Sequence, residues 1–139
     1  MSKVEALCPC GGGLFSTCCG RFIASQDVPQ TAQELMRSRY TAFTLCDDTY
    51  LRATWHHSTR PKGGITDAET KWLGLEVRNS GNASAADANH ATVDFVARYK
   101  VAGRAHRLHE ISNFVREQEK GSNDQEWRWF YVDGVFPQK

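Results

Sequence analysis

The spacing of apolar residues divides the chain into a helical first part and a strand-rich second part. The stretch "TAQELMRSRYTAFTLC" (residues 31–46) carries apolar side chains at the three- and four-residue intervals of a helix that buries one face. Thr31 and Glu34 form a capping box at its start, in which each residue satisfies a free backbone N–H. The pattern therefore predicts a long amphipathic helix that packs on the core.

Two shorter helices are predicted after this one. Asp47 or Asp48 can cap a second helix, "TYLRATWHH", because an aspartate side chain accepts hydrogen bonds from the first turn. Thr66 and Glu69 have the spacing of another capping box, which predicts a short third helix, "DAETKW". The three- and four-residue spacing of apolar positions ends with this segment.

The rest of the chain has the alternation and the β-branched and aromatic content of strands. Four strands are predicted, over residues 72–79, 90–101, 106–117 and 126–136. The short separator around Gly103 predicts a tight hairpin between the second and third strands. Helices followed by antiparallel strands indicate the α+β class, with the helices packed on one side of a curved antiparallel sheet.

Composition and charge narrow the function classes. The chain has 139 residues, 40% of them hydrophobic and 24% charged, which suits one compact domain with a small appendage. The formal net charge of +1 argues against a strongly electrostatic nucleic-acid binder. No apolar run approaches the roughly 18 residues of a membrane span, and "MSKVEAL" does not resemble an export signal. We therefore expect a cytoplasmic protein without membrane attachment.

Four of the five cysteines lie within the segment "CPCGGGLFSTCCGRF" (residues 8–22). A pair of disulfides would suit a secreted mini-domain, and nothing here indicates secretion. A redox pair usually has Cys-x-x-Cys spacing beside a βαβ unit, and an iron–sulfur cluster usually has wider spacing. We favour the remaining interpretation, one tetrahedral zinc ion held by the four thiolates of Cys8, Cys10, Cys18 and Cys19.

The zinc interpretation has three consequences. Four sulfur ligands leave no open coordination position, so the ion would be structural rather than catalytic. Metal binding would also supply folding energy to residues 1–24, an arm with few apolar groups of its own. Lys3 and Arg21 would offset part of the thiolate charge, and Cys46 is expected to be a small buried hydrophobe on the long helix rather than a fifth ligand.

Several motifs of this chain resemble those of known families. "CPCGGGLFSTCCG" resembles the SEC-C motif, a small zinc-binding module also found in the SecA translocation ATPase. Over nearly the whole chain, "LMRSRYTAF", "TWH", "WLGL", "VDFVARY", "HEISNFVRE" and "WFYVDG" resemble, in order, motifs of the YchJ family of uncharacterised bacterial proteins. The resemblance implies a SEC-C-like zinc motif over residues 1–24 and a cystatin/nuclear transport factor 2-like cone over residues 25–139.

Cone folds of this kind hold a pocket between the concave sheet and the helices. In the third strand Glu110 shares a face with four other residues, namely His106, Leu108, Ser112 and Phe114. If this face is concave, Glu110 enters an apolar pocket and is a candidate general base. The structural alternative, which we favour, is an ion pair between Glu110 and Arg37 or Arg39 of the long helix.

Three further candidate pocket groups have structural alternatives of their own. Arg39 and Tyr40 belong to "RSRY", the densest polar group on the long helix. His56 lies at the end of the predicted second helix, where a partly charged imidazole would favour the negative helix end. In the last strand, Asp133-Gly134 reads most simply as a turn that closes the strand.

Two functions are consistent with these observations. The first is a non-catalytic, zinc-stabilised binding or adaptor protein with a protein partner at the zinc arm. It is favoured because no nucleophile with a base, phosphate loop or open metal site is recognisable. The alternative is a small-molecule-binding protein or enzyme with its ligand in the cone. Nucleic-acid binding is disfavoured, since the aromatic residues near the basic ones read as core.

Overall fold

In the computed structural model the described residues are 6–81, 89–118 and 127–137. A 3₁₀ turn at Phe15–Thr17 precedes three α-helices, which we number in chain order. They are α1 (Cys19–Ile23), α2 (Ala32–Thr44) and α3 (Asp48–Ala53). Four strands follow, β1 (Lys71–Gly81), β2 (His90–Val101), β3 (Arg104–Gln118) and β4 (Trp127–Val135). None of the described helices has the length and apolar character that crossing a membrane requires.

The described strands form one antiparallel sheet in the order β1-β2-β3-β4, which confirms the α+β prediction. The predicted β2–β3 hairpin is confirmed, with Val101 opposite Arg104 and a two-residue loop. The loop residues Ala102 and Gly103 both have positive φ, +52° and +81°. Two such residues make the type I′ turn whose twist matches that of antiparallel strands.

Local capping signals place the starts of α2 and α3. The Thr31 side chain accepts a 3.0 Å hydrogen bond from the Glu34 backbone N–H, as the capping box predicts. Glu34 reaches back to the backbone N–H of Gln30 at 2.8 Å. Asp47 caps α3 by accepting from the N–H of Tyr50 at 3.0 Å. Side-chain oxygens therefore satisfy the first free N–H groups of both helices.

The predicted third helix is wrong. Residues 67–70 form a turn, closed by a 3.2 Å hydrogen bond from the N–H of Thr70 to Asp67 O. The capping box does not form, because the Thr66 hydroxyl donates to Asp48 and the N–H of Glu69 donates to Asp67. The carboxylate of Asp48 accepts from the backbone N–H groups of Ile65 and Thr66, both at 3.1 Å. Asp67 accepts from the N–H of Glu69 at 2.9 Å in a local turn. A long-range partner thus decides the local conformation.

Cys46 is exposed, so its expected role as a buried hydrophobe is wrong. Helix α2 ends at Thr44, and Cys46 adopts a left-handed φ of +54° just beyond it. Its N–H bonds to Phe43 O at 3.2 Å, and the N–H of Asp47 bonds to Ala42 O at 2.9 Å. This is a Schellman arrangement, which turns the chain out of the helix before Cys46 can reach the core.

One apolar core joins α2, the sheet and the cysteine arm. Buried residues of α2 pack with inward-facing residues of β2 and β3, and Cys8, Cys10 and Cys19 belong to the same cluster. Val93, Phe95 and Ala97 alternate along β2 and are all buried in this core. The arm is therefore in contact with the sheet-covering helix, and the concave side of the sheet lies beneath α2.

Candidate metal centre and cone cavity

A short hairpin and the start of α1 bring the four arm cysteines together. The backbone N–H of Cys8 bonds to Gly13 O at 2.7 Å, and the N–H of Gly11 bonds to Cys8 O at 2.9 Å. Gly11 and Gly13 have φ of +86° and +129°, which glycine tolerates best. The chain reverses there and returns Cys18 and Cys19 to the first cysteine pair.

The sulfur separations fit one tetrahedral ion. The Cys10 Sγ lies 3.5 Å from Cys18 Sγ and 3.6 Å from Cys19 Sγ, and the last two sulfurs are 4.0 Å apart. With Zn–S bonds of about 2.3 Å, tetrahedral geometry places sulfurs about 3.8 Å apart. All four sulfurs, Cys8 included, lie within 4.8 Å of one another. The thiols are free, and these distances are far too long for a disulfide bond.

Hydrogen bonds and burial shift the pKa values of three of the four thiols, and these shifts indicate that the centre is suited to a cation. A hydrogen bond from the Cys19 thiol lowers the pKa of Cys10 to about 4, against burial that acts in the opposite direction. The same hydrogen bond raises the pKa of Cys19 by holding its proton. Burial, aided by the Cys10 thiolate, raises the pKa of Cys18 to about 11. A divalent cation would replace these protons and stabilise all four thiolates together.

Helix α2 contributes two polar groups to this centre that the sequence analysis did not connect with the cysteines. Arg37 Nη1 donates to Cys10 O at 3.0 Å, and its guanidinium also lowers the pKa of the Cys10 thiol. The Thr41 hydroxyl lies 3.6 Å from Cys8 Sγ. Of the expected charge partners, Arg21 donates to Cys18 O at 3.2 Å, whereas Lys3 lies outside the described residues. Arg37 and Thr41 lie four apart, on the helix face that meets the arm.

Gly12 leaves the space that the sulfurs occupy. A Cβ at this position would lie 2.9 Å from Cys18 Sγ and 3.3 Å from Cys10 Sγ. Any other residue would therefore push sulfur atoms out of the cluster. The loop is shaped around a compact group of sulfurs, which is the shape that a single bound ion requires.

A second feature is a cavity between α2 and the concave face of the sheet. Its volume is about 130 Å³ and its walls are mainly apolar and aromatic. Three of the predicted pocket residues, Arg39, Tyr40 and Glu110, line it. The other lining residues are Met36, Phe43, Trp55, Trp72, Phe95, Ala97, Leu108, Ser112, Phe114 and Tyr131. A cavity of roughly 150 Å³ with apolar walls accommodates benzene, so this one can hold a small organic molecule.

Glu110 is buried in this cavity wall, but its partners are hydroxyl groups. Its Oε2 accepts from Ser112 Oγ at 2.8 Å and from Tyr131 Oη at 2.9 Å. The favoured ion pair between Glu110 and Arg37 or Arg39 is wrong: the ion pairs found among the described residues do not include it. Tyr131 holds the carboxylate instead, a role that its position within an aromatic run did not reveal.

The predicted turn at Asp133-Gly134 is also wrong, since β4 continues through both residues to Val135. Asp133 pairs with Asn113 while Tyr131 pairs with Phe114, so Val132 forms a bulge. The bulge interrupts the alternation of side chains along β4, so that Asp133 lies on the outer face and Gly134 on the inner face. A Cβ on Gly134 would lie 2.0 Å from Glu110 Oε2. Glycine is needed there because the Glu110 carboxyl group fills the space.

Arg39 is buried between two aromatic rings. Its guanidinium carbon lies 4.9 Å from the Trp55 ring centre and 4.6 Å from that of Tyr131. Nη1 donates to Leu51 O at 2.8 Å and to Thr54 Oγ1 at 2.6 Å, which ties α2 to the end of α3. Burial lowers its pKa to about 10, so Arg39 still carries its charge at neutral pH. The cavity wall therefore holds a cation and a carboxyl group without an ion pair between them.

The last predicted pocket residue, His56, lies elsewhere. Helix α3 ends at Ala53, so His56 follows the helix rather than capping it. Its backbone N–H donates to Tyr131 O at 2.7 Å, and its side chain faces a separate cleft beside Glu117. The sequence pattern could not separate the two sites, because the turn after α3 directs the imidazole away from the cavity.

Solved structures with this architecture have been described as SEC-C motif proteins. A SEC-C motif containing protein from Rhodopseudomonas palustris is 28% identical, with a TM-score of 0.75 over 96% of this chain and 100% of that one. A SEC-C motif containing protein from Psychrobacter arcticus is 26% identical, with a TM-score of 0.74 over 96% of this chain and 84% of that one. The fold and the cysteine cluster thus define an α+β protein similar to these.

The sequence comparisons identify the family within this class. The family model described as the YchJ middle NTF2-like domain matches residues 31–134, and the chain belongs to the YchJ family. A UPF0225 protein from Ralstonia nicotianae is 55% identical over 133 residues, 93% of this chain and 90% of the relative. A UPF0225 protein from Cupriavidus metallidurans is 54% identical over 129 residues, with 93% and 88% covered. This family is uncharacterised.

Proposed function

We propose that this chain is a zinc-stabilised protein that binds a small, largely apolar molecule in the cone cavity. The observation that carries this proposal is the cavity of about 130 Å³, in which the Glu110 carboxyl group and the Arg39 guanidinium are not paired with each other. A cone that served only as a scaffold would gain stability by filling this space with side chains.

The cavity wall indicates the chemistry of the ligand. Aromatic side chains on several sides favour a flat ring, which gains contact area and edge-to-face packing. The two described hydrogen bonds to Glu110 both reach Oε2, which leaves its other oxygen for a ligand that donates a hydrogen bond. A small aromatic molecule with one hydroxyl or amine group satisfies both requirements.

The four-cysteine centre has a structural part in this function. Zinc bound to Cys8, Cys10, Cys18 and Cys19 would have no open position, so it would stabilise the arm rather than react. The arm in turn contacts α2 through Arg37, two residues before Arg39. Metal binding would therefore help to hold the helix that covers the cavity.

Ligand binding is tested by NMR titration of the ¹⁵N-labelled protein with phenol and aniline, and with toluene as a probe without a donor. The donor-bearing probes should shift resonances of the cavity wall and bind more tightly than toluene. Ala97→Leu, which fills the cavity, should abolish binding, whereas Arg98→Leu on the opposite face of β2 should not. No binding of phenol or aniline to the folded wild type would contradict the proposal.

A protein partner at the zinc arm is a second candidate function. Leu7 is 77% exposed and Leu14 is 40% exposed, and the two form an isolated bridge on the arm. Paired exposed leucines on a small module suit contact with another protein. Cross-linking in a cell extract, compared between the wild type and Leu7→Ser, should show a partner that the variant loses. An unchanged cross-linking pattern would exclude this surface.

A further inference from the structure

A cluster of metal-binding side chains lies outside both sites described above. His56 and His57 follow α3, and Glu117 lies near the end of β3. The two imidazole rings stack with centres 4.3 Å apart at an interplanar angle of 29°. One ligand atom from each of the three side chains lies within 4.8 Å of the others. The backbone bond from His56 to β4 fixes this segment beside Glu117.

The contact between His56 and Glu117 has the distance of two ligands on one ion. Nε2 of His56 lies 3.0 Å from Glu117 Oε2, and the His56 side chain is only 11% exposed. This Nε2 is buried, yet it lacks a well-aligned hydrogen bond among the described residues, so the contact with Glu117 is close but poorly directed. Nitrogen and oxygen ligands on a tetrahedral ion at about 2.0–2.1 Å lie roughly 3.3 Å apart.

The other imidazole nitrogen has a partner suited to metal binding. Metal bound at Nε2 requires the proton on Nδ1, and Ser58 Oγ lies 2.7 Å away to accept it. The backbone N–H of Ser58 also approaches Nδ1, at 3.2 Å. That contact favours the other tautomer, in which His56 and Glu117 form an ordinary imidazole–carboxylate pair. Only the first arrangement, with the proton on Nδ1, leaves the Nε2 lone pair available to a metal ion.

We propose that His56, His57 and Glu117 bind a divalent first-row transition ion, in a second metal site distinct from the four-cysteine centre. Two imidazoles and one carboxylate suit zinc, cobalt or iron(II), and three protein ligands leave coordination positions open. These positions face a cleft of about 370 Å³. Arg60 lines the cleft and is held by two hydrogen bonds to Trp55 O, so an anionic ligand could complete the coordination.

The test uses the full chain carrying one equivalent of zinc, titrated with Co²⁺ and followed by calorimetry and visible absorption. Wild type should bind one further equivalent without the intense thiolate-to-cobalt absorption that replacement at the cysteines would produce. His57→Ala and Glu117→Gln should each weaken this binding by about tenfold or more. His106→Ala, which removes another exposed imidazole, should leave it unchanged.

His57 is exposed, so its removal should not disturb folding, and circular dichroism checks this for each variant. The absence of a further Co²⁺ equivalent at millimolar metal would overturn the proposal. Equal Co²⁺ affinity in wild type, His57→Ala and Glu117→Gln would also overturn it, in favour of the imidazole–carboxylate pair. Both readouts are independent of ligand binding in the cone.

Discussion

Replacing Gly134 with alanine tests whether the Glu110 carboxyl group is held as tightly as its contacts indicate. The new Cβ would lie 2.0 Å from Oε2, 2.6 Å from Cδ and 2.8 Å from Cγ of Glu110. Real Cβ atoms do not approach other atoms so closely, so the Glu110 side chain has to move. Because it is buried and held by Ser112 and Tyr131, it cannot move without losing both hydrogen bonds.

The expected loss of stability follows from those two bonds. A buried polar group left without its partner costs about 1–3 kcal/mol, and here the hydroxyls of Ser112 and Tyr131 are both affected. Alanine in a strand is more favourable than glycine by about 0.5–1 kcal/mol, which offsets part of the cost. The free energy of unfolding should therefore fall by roughly 2–4 kcal/mol.

Urea unfolding of the zinc-loaded protein measures this change, with Gly74→Ala as the matched control. Gly74 lies in β1 of the same sheet, and a Cβ there would meet no atom within 4 Å. The control should be neutral or slightly stabilised. In a Glu110→Ala background Gly134→Ala should cost much less, because the clash is gone. If Gly134→Ala is as stable as Gly74→Ala, the tight packing of Glu110 is refuted.

Two further predictions concern the metal loop and the buried tyrosines. Gly12→Ala should weaken zinc binding by roughly tenfold or more in a competition assay. Gly63→Ala should leave the zinc affinity unchanged, because a Cβ at Gly63 would meet no atom within 4 Å. Equal zinc affinities of the two variants would contradict the close packing of Gly12 against the sulfur atoms. Raising the pH from about 10 to 12 should lower the free energy of unfolding by up to about 2.7 kcal/mol per pH unit. Burial raises the pKa of Tyr40 and Tyr50 to about 12 and also raises the pKa of Tyr131, so the folded chain keeps protons that the unfolded chain releases. Arg39, with its pKa lowered to about 10, acts in the opposite direction but with one proton against three. Urea midpoints at several pH values check this, and stability that rises over the range would contradict it.

The features that could be predicted from the sequence are those set by local interactions. The capping box at Thr31, the aspartate cap of α3 and the two-residue turn at Ala102-Gly103 each involve residues close together in the chain. The four cysteines likewise lie within one short segment, so their spacing could indicate a shared ion. Backbone preferences and short-range hydrogen bonds decide such features almost alone.

The features that could not be predicted depend on partners far away in the chain. The bulge at Val132 is a property of the β3–β4 pair, and it alone turns Gly134 towards Glu110. The carboxylate of Asp48 binds the Thr66 hydroxyl that would have capped a third helix. Arg39 could be recognised as a polar residue on an apolar helix. Its position between the rings of Trp55 and Tyr131 could not, because it depends on the packing of α2, the segment after α3 and β4.

The most direct test of the four-cysteine centre is native mass spectrometry of the purified chain, together with thiol titration before and after chelation. Wild type should carry one zinc ion, and only the exposed Cys46 should react rapidly until the chelator removes the metal. Cys10→Ser should lose the ion, because Cys10 lies at the centre of the sulfur contacts. A wild-type chain without metal, whose four arm thiols react as fast as Cys46, would contradict a metal centre at this site.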